Sequence, residues 1–310
     1  MAFGRGGRKF FKNNENRHIQ IIMNPFGLKK VSETVDGNRE QLVVIKPKRG
    51  WQMINIKELI AYHELFGFLV WRDIKVLYAQ TVLGLFWAIL QPLVQIAIFT
   101  VVFGKVAKVP TDNIPYLLFA TIGIIPWTYI SQGITQSSQS LIGNQAMLGK
   151  IYFPRLIFPI VPVLAKLVDF GISLFLLLGI AIYYRVYPTW NLLWFPLFFI
   201  MMVAITSGIG MWLSALAIRF RDVKHAMSFL IRMLMYTAPI VYSSSSINET
   251  YRLYYSFNPI VGVIEGFRAS VLGLPMPWMY IWPGMLATVI IFVSAAYYFK
   301  KMEGIFVDVI

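Results

Sequence analysis

Six apolar segments, each about 17 to 28 residues long, occupy most of this chain after residue 82. A bilayer core is crossed by about 20 apolar residues in a helix, and backbone in lipid must satisfy its own hydrogen bonds. Each segment therefore predicts a transmembrane helix. The predicted spans lie at about residues 83–104, 115–136, 157–184, 192–217, 227–243 and 278–299.

Composition agrees with this membrane class. Charged residues make up 14% of the 310 residues, against about 25% in soluble domains. If the segments between spans alternate between the two sides of the membrane, 23 of the 28 Lys and Arg residues lie on the same side as the N-terminus, counting the adjoining span ends. The other 5 lie on the opposite side. Because cytoplasmic segments carry the excess of Lys and Arg, both termini are predicted in the cytoplasm. The fold class is thus an all-α polytopic membrane protein.

Two regions are predicted before the first span. Residues 1–50 are basic, and we expect a largely disordered cytoplasmic extension drawn to anionic lipid headgroups. Residues 51–82 alternate apolar and charged positions with a helical period, which predicts an amphipathic helix lying in the interface. This helix is either an anchor or a lever that contacts a cytoplasmic partner. Residues 83–310 then form the six-span domain.

The segment between the fifth and sixth spans has an apolar second half that is too short to cross a bilayer. A pair of short re-entrant helices is predicted there, marked by Asn258, Glu265 and Arg268. Glu265 and Arg268 are three residues apart, so they share a helical face and can pair. The pair is interpreted as structural, with gating or substrate contact as the alternative. Lys166 and Asp169 in the third span have the same spacing and the same predicted pairing.

Several functions are disfavoured by residue content. The chain has no cysteine, and its three histidines lie in separate polar segments, so neither a thiol nucleophile nor a metal cluster is predicted. Its net charge of +14 is not accompanied by a pattern typical of nucleic-acid binding. Asp169 has no second carboxylate in another span, which argues against a proton relay.

The stretch "GNQAMLGKI" at residues 143–151 looks like a phosphate-binding loop. Such a loop needs four residues between its glycines and a Ser or Thr after the lysine. Here five residues separate the glycines, and Ile151 follows Lys150. The stretch is therefore not predicted to bind nucleotide, and no cofactor is predicted in this chain.

Four stretches in order carry a resemblance that covers about residues 45–310. They are "WRDIKVLYAQTVLGLFWAILQPL" (71–93), "KIYFPRLIFPI" (150–160), "LSALAIRFRDVK" (213–224) and "FNPIVGVIEGFR" (257–268). Together they resemble the ABC-2-type permeases of bacterial polysaccharide exporters, which move O-antigen, teichoic acid or capsule.

That resemblance implies a bacterial inner-membrane subunit that acts as a homodimer with two separate ATPase subunits, where ATP and Mg²⁺ would bind. The loop Leu141–Arg155 would then dock on the ATPase. The predicted coupling residues are Asn144, Met147, Leu148, Lys150, Ile151, Phe153 and Arg155. The cargo implied is a glycan on a polyprenyl diphosphate lipid, threaded through a channel.

Sugar rings stack on aromatic side chains, and many weak contacts let a polymer slide. The channel aromatics predicted from the first, second and fifth spans are Phe86, Trp87, Phe119, Trp127, Tyr129 and Tyr236. The predicted basic rim for the lipid diphosphate is Arg72, Lys75, Arg219 and Arg221, with plain positive-inside anchoring as the alternative.

Two other functions are kept open. One is a membrane-embedded enzyme acting on lipid-linked sugars, although the outer segments offer only Asp112, Glu249 and Glu265 as acids, without a convincing catalytic pair. The other is an ABC-2 exporter of a lipid or small molecule, which would share the same architecture.

Overall fold

The computed structural model describes residues 60–79, 84, 86–148, 153–220 and 222–303, together with the backbone of four strands between residues 9 and 43. The chain separates into two compact units, Met1–Trp51 and Gln52–Ile310.

The first unit contains an antiparallel meander. Its strands are β1 (Lys9–Lys12), β2 (His18–Met23), β3 (Lys29–Val35) and β4 (Asn38–Val43), paired in that order. This differs from the predicted lack of regular structure over residues 1–50. Two sequence signals indicate this structure: β2 and β3 are rich in β-branched residues, and Asp36-Gly37, a pair favoured in two-residue hairpin turns, separates β3 from β4.

The described residues of the second unit form helices and no strand. The helices are α1 (His63–Tyr78), α2 (Phe86–Phe99), α3 (Tyr116–Gly143), α4 (Gln145–Leu148), α5 (Ile157–Ala165), α6 (Leu167–Tyr183), α7 (Phe195–Arg219), α8 (Val223–Tyr236), α9 (Glu249–Tyr255), α10 (Pro259–Leu272) and α11 (Trp278–Met302). A π-helical segment, Thr100–Val106, extends α2, and short 3-10 turns at Trp190–Trp194 and Ser244–Ser246 precede α7 and α9.

Five helical stretches of the described chain are long and apolar enough to cross a membrane: Phe86–Val106, Tyr116–Gly143, Ile157–Tyr183, Trp190–Arg219 and Trp278–Met302. They match the predicted first, second, third, fourth and sixth spans, which confirms a helical multi-pass membrane protein. The predicted fifth span, 227–243, is not one helix, because α8 ends at Tyr236. Pro239 accounts for this end, since proline disfavours helical geometry in the residue before it and cannot donate a backbone hydrogen bond.

Small residues join α3 to α7. A Cβ atom on Gly133 would lie 2.6 Å from Cγ2 of Thr206, and one on Gly210 would lie 2.2 Å from Oγ of Ser137. Glycine is therefore required at both positions, as at many close helix contacts in membranes. The contacts advance together along both helices, so α3 and α7 run parallel.

The other helices can be placed relative to this pair. Gly208 of α7 lies against the backbone of Phe292, while Phe198 and Trp278 meet near the start of both helices, so α11 also runs parallel to α7. We call the end where α3, α7 and α11 start the outer end, and the end where they finish the inner end.

Two apolar clusters fill the second unit. The larger one surrounds α3 and includes buried side chains of α6, α7, α8 and α10. The smaller one lies at the inner end, where Leu69 of α1, Leu141 of α3 and Phe299 of α11 meet the start of α5. The second cluster holds the interface helix α1 against the bundle.

Candidate functional site

The predicted coupling segment begins where α3 ends, at the inner end. The Asn144 side chain donates from Nδ2 to the carbonyl of Ser140 at 2.8 Å and accepts at Oδ1 from Arg72 Nη2 at 3.2 Å. The helix α1 therefore contacts Asn144, the first of the predicted coupling residues. The backbone then forms the short helix α4, on which Ala146 is exposed and Met147 packs partly against the inner cluster.

Part of this segment lies outside the described residues. It includes Lys150, Ile151 and the side chain of Leu148, whose coupling role stays a prediction.

Two predicted coupling residues make contacts within the chain, where Phe153 is buried and Arg155 is half-buried. Phe153 is 4% exposed, and its ring lies 5.1 Å from that of Phe158 between centroids. Arg155 donates from Nη1 to the carbonyl of Glu303 at 2.6 Å, and its backbone N–H donates to Glu303 Oε1 at 3.2 Å. These contacts fasten the segment to α5 and to the end of α11. In a short loop no periodicity shows which way a side chain turns, so the sequence did not reveal this.

The predicted basic rim is only partly available. Arg72 makes an ion pair with Asp73 at 2.8 Å in addition to its bond to Asn144. Lys75 and Arg219 are exposed, and the Arg219 guanidinium lies 5.3 Å from the centroid of the Phe220 ring. Arg221 lies outside the described residues. Among the described rim residues, Lys75 and Arg219 are therefore open to a ligand, and the role of Arg221 stays a prediction.

Polar side chains line a cavity of about 100 Å³ between α1, α2, α3 and α6, which we call the polar cleft. On one wall, Lys166 Nζ lies 2.7 Å from Asp169 Oδ2, and the Tyr78 hydroxyl donates to Oδ1 of the same carboxylate. Burial is the main reason that the pKa of Tyr78 is raised, and the hydrogen bond to Asp169 adds to it. The predicted Lys166–Asp169 pair is present.

The opposite wall of the polar cleft is uncharged. Gln132 Nε2 donates to Gln91 Oε1 at 3.0 Å, and the buried hydroxyl of Thr128 has no hydrogen-bond partner among the described residues. The indole of Trp87, 51% exposed, borders the same space. This wall was not identified from sequence, since single Gln and Thr residues in apolar spans give no periodic signal.

A second cavity of about 160 Å³ lies at the outer end, and we call it the outer cavity. Arg268 is 3% exposed; its Nη1 lies 3.0 Å from Glu265 Oε1, and its Nη2 donates to the carbonyl of Ile240 at 3.3 Å. Its guanidinium also lies 3.6 Å from the centroid of the Phe119 ring. The Nε atoms of Arg268 and Arg252 are buried and have no hydrogen-bond partner in the part of the chain that the structure describes, and a cavity of this size admits water that can accept from them.

Asp112 ties the loop before α3 to the outer cavity. Its carboxylate accepts from the hydroxyls of Ser243 and Ser245. Burial alone would raise the pKa of Asp112, but these hydrogen bonds and the charges of Arg252 and Arg268 outweigh it, so the pKa is lowered below its usual value.

Asn258 marks the turn between α9 and α10. Its Oδ1 accepts from the backbone N–H of Ile260 at 3.1 Å, which caps α10, and its Nδ2 donates to the carbonyl of Thr237 at 3.1 Å. The turn is thereby attached to the residue that follows α8.

The predicted channel aromatics divide into two groups. Phe119, Trp127 and Tyr129 are 1%, 5% and 3% exposed and are therefore buried within this chain. Tyr129 borders the polar cleft and Phe119 the outer cavity, whereas Trp127 borders neither. The structure gives no support for Trp127 as a lining residue, and the roles of the other two stay predictions. Because the first half of α3, residues 116–130, is apolar on nearly every side, its sequence does not indicate which side faces the protein. Phe86, Trp87 and Tyr236 are all more than half exposed.

Among the described residues, no three His, Asp or Glu side chains are grouped so as to hold a metal ion.

Known proteins resemble this chain over most of its length. The O-antigen export system permease protein RfbA of Myxococcus xanthus is 28% identical over 216 residues, which cover 69% of this chain and 82% of that protein. RfbA of Klebsiella pneumoniae is 28% identical over 240 residues, 77% of this chain and 92% of that protein. The polysialic acid transport protein KpsM of Escherichia coli is 23% identical over 244 residues, which cover 75% of this chain and 92% of that protein.

A family model for the ABC-2 type transporter matches residues 64–272, which extend from the interface helix α1 to the end of α10. The predicted family is thereby confirmed. The chain belongs to the ABC-2 type transporter family.

Proposed function

We propose that this chain is the transmembrane subunit of an ATP-driven exporter that moves a lipid-linked polysaccharide across the bacterial inner membrane. The observation that carries the proposal is the family match over α1 to α10, together with relatives named for O-antigen export and polysialic acid transport. The cargo would be O-antigen, teichoic acid or a similar glycan on a polyprenyl diphosphate.

A sixth crossing between α7 and α11 completes this architecture. Arg219 ends α7 at the inner end, whereas Ser243 reaches Asp112 at the outer end, so the chain between them must traverse the bundle. The 14 residues of α8 supply about 21 Å of this path. The remainder is non-helical and includes Ala238 and Ile240, both fully buried. Such backbone is tolerated at membrane depth where protein surrounds it.

The helices α9 and α10 form the proposed re-entrant pair. At about 10 and 21 Å they are too short to cross a bilayer core of about 30 Å. Arg252 of α9 bonds Ser244 at the outer end, and Gly273 after α10 lies against Thr189, just before α7. Between them, Asn258 bonds the carbonyl of Thr237, which follows α8 and precedes Ser243 along the crossing chain. The pair therefore enters and leaves at the outer end.

Charge supports a cytoplasmic inner end and hence cytoplasmic termini. Arg155, Arg219, Lys300 and Lys301 lie at or beside the ends of the spans there. The ATPase subunits, which would hold ATP and Mg²⁺, would dock at the inner end on the segment that follows α3. The contact between Arg72 and Asn144 couples that segment to α1, which favours the lever over the simple anchor.

A second copy of the chain would complete the channel. The stretch Phe86–Val106 is the least buried of the five long stretches. Its exposed Phe86 and Trp87, with Tyr236 of α8, stay the proposed channel aromatics, and Lys75 and Arg219 the proposed diphosphate contacts. Membrane lipids would cover the remaining apolar surface.

The test is an Ala146→Glu substitution in cells that export the glycan. Ala146 is exposed on α4, so a carboxylate there leaves the fold intact but disturbs an ATPase docked on it. We expect a loss of surface glycan and of co-purified ATPase subunit. The matched control is Ala107→Glu in the exposed loop at the outer end, which should export normally. Export by the chain in cells that lack any partner ATPase would refute the proposal.

A further inference from the structure

The polar cleft has no part in docking or in helix packing as described above, yet it opens deep in an apolar bundle. Gln132 lies 11 residues before the end of α3, about 17 Å from the inner end of that helix. Polar groups in apolar surroundings are costly unless they are hydrogen-bonded or bind a ligand, and here Gln91 is exposed while the Thr128 hydroxyl is buried without a partner among the described residues. The cleft therefore needs an explanation beyond stability.

The charge of the cleft selects against an anionic ligand. Among the lining residues that the structure describes, the charged ones are Lys166 and Asp169, and they neutralise each other at 2.7 Å. Binding a diphosphate here would require Lys166 to leave its carboxylate, and Asp169 would then repel the ligand. A neutral ligand meets no such cost.

The uncharged wall offers hydrogen bonds of both kinds. One bond joins Gln132 Nε2 to Gln91 Oε1, which leaves the Gln91 amide donors and the Gln132 carbonyl for a ligand. The unpartnered hydroxyl of Thr128 lies in the same lining. A ligand that carries adjacent hydroxyl groups, each both donor and acceptor, matches this arrangement.

The apolar contribution comes from Trp87. Its half-exposed indole borders the cleft, and the negative face of an aromatic ring attracts the positively polarised C–H groups on one side of a sugar ring. The volume of about 100 Å³ corresponds to about three water molecules at roughly 30 Å³ each, so the cleft holds part of one sugar ring, and the remainder extends past the half-exposed Trp87.

We infer that the polar cleft binds one neutral sugar residue, with Trp87 against the C–H face of the ring and Gln91 and Gln132 on its hydroxyls. The inference rests on the proposed function, because it makes the cleft a subsite for the exported glycan. The Lys166–Asp169 pair, fixed by Tyr78, then excludes charged groups and holds the wall opposite the amides.

The direct test is saturation-transfer NMR on the full chain in lipid nanodiscs. The probes are the methyl glycosides of glucose, galactose, mannose and rhamnose, with inorganic pyrophosphate as the charged comparison. We expect saturation transfer to the protons of at least one methyl glycoside. Because pyrophosphate has no carbon-bound protons, it is added as a competitor, and it should leave this transfer unchanged. Trp87→Ala and Gln132→Ala should weaken that binding by about fivefold or more.

The controls separate stacking from damage to the fold. Trp87→Phe keeps an aromatic face and should retain most of the binding. Trp282→Ala removes an indole of similar exposure, 61%, on α11 and should leave the binding unchanged. Thermal unfolding of each variant shows whether it is folded, and Trp87→Ala should unfold at the wild-type temperature because its ring is half exposed.

Three results would overturn the inference: no methyl glycoside binds, binding survives both Trp87→Ala and Gln132→Ala, or pyrophosphate binds in place of the sugars. Export of surface glycan is measured in parallel. Normal export by both variants removes the subsite and leaves the proposed function intact. A wild-type chain that exports no glycan removes the proposed function and, with it, the role of the cleft as a cargo subsite.

Discussion

The polar cleft and the outer cavity both contain a basic and an acidic residue three positions apart on one helix, yet they differ in what surrounds that pair. In the outer cavity, Arg268 is held by Glu265, by the Ile240 carbonyl and by the Phe119 ring. In the polar cleft, Lys166 and Asp169 face amides and an exposed indole. The same sequence spacing therefore has two roles. At the outer end it produces an ion pair that connects α10 to the Ile240 carbonyl and to α3, and nearer the inner end it forms one wall of the polar cleft.

The largest effect is expected at Arg268. The variant Arg268→Met leaves the Glu265 carboxylate without its partner and should destabilise the protein by about 3–5 kcal/mol, measured by thermal unfolding in nanodiscs. The double variant Arg268→Met with Glu265→Gln removes both charges and should recover part of that loss. If the single variant were as stable as wild type, the structural role of the Arg268 contacts would be contradicted.

Phe153 should show the next effect. Phe153→Ala opens a cavity in the inner cluster, and we expect a loss of about 3 kcal/mol in stability. Ala146→Glu, only seven positions away but exposed, should unfold like wild type. If Phe153→Ala were as stable as wild type but exported nothing, Phe153 would be a docking residue after all.

Asp169→Asn tests the comparison itself. The asparagine keeps an oxygen that accepts from the Tyr78 hydroxyl, whereas Arg268→Met also loses the bond to the Ile240 carbonyl and the contact with the Phe119 ring. The expected loss of stability is about 1–2 kcal/mol, smaller than that of Arg268→Met under the same conditions. Equal losses of stability in the two variants would show that both ion pairs have the same structural role.

The smallest effect concerns pH and Asp112. A carboxyl whose pKa is lowered on folding adds stability that is present above its unfolded pKa and is lost as pH falls through its folded pKa. Wild type should exceed Asp112→Asn in unfolding temperature at neutral pH, and the difference should shrink below about pH 4. Asparagine is the suitable replacement because Asp112 has φ +53°, which asparagine tolerates. A difference that persists or grows at low pH would contradict the lowered pKa.

The sequence was sufficient for some features and not for others. Long apolar runs revealed five spans, because length and composition alone decide them. The i, i+3 spacing revealed both ion pairs. The buried side of α3 could not be predicted, because Phe119 and Trp127 lie in its first half, which is apolar on nearly every side, and only the packing shows that both are buried. The end of α8 could have been read from Pro239, and the β3–β4 hairpin from Asp36-Gly37, but hydropathy and charge dominated those segments.

The Gly133–Thr206 and Gly210–Ser137 contacts have a mechanical consequence. Two helices with no space for a methyl group between them resist sliding and rotation against each other, so we expect α3 and α7 to move as one rigid unit. The close contact of Gly208 with Phe292 adds α11 to this unit. Conformational change during a transport cycle is then expected in α2 and α8, which bury fewer side chains and would move relative to this rigid unit.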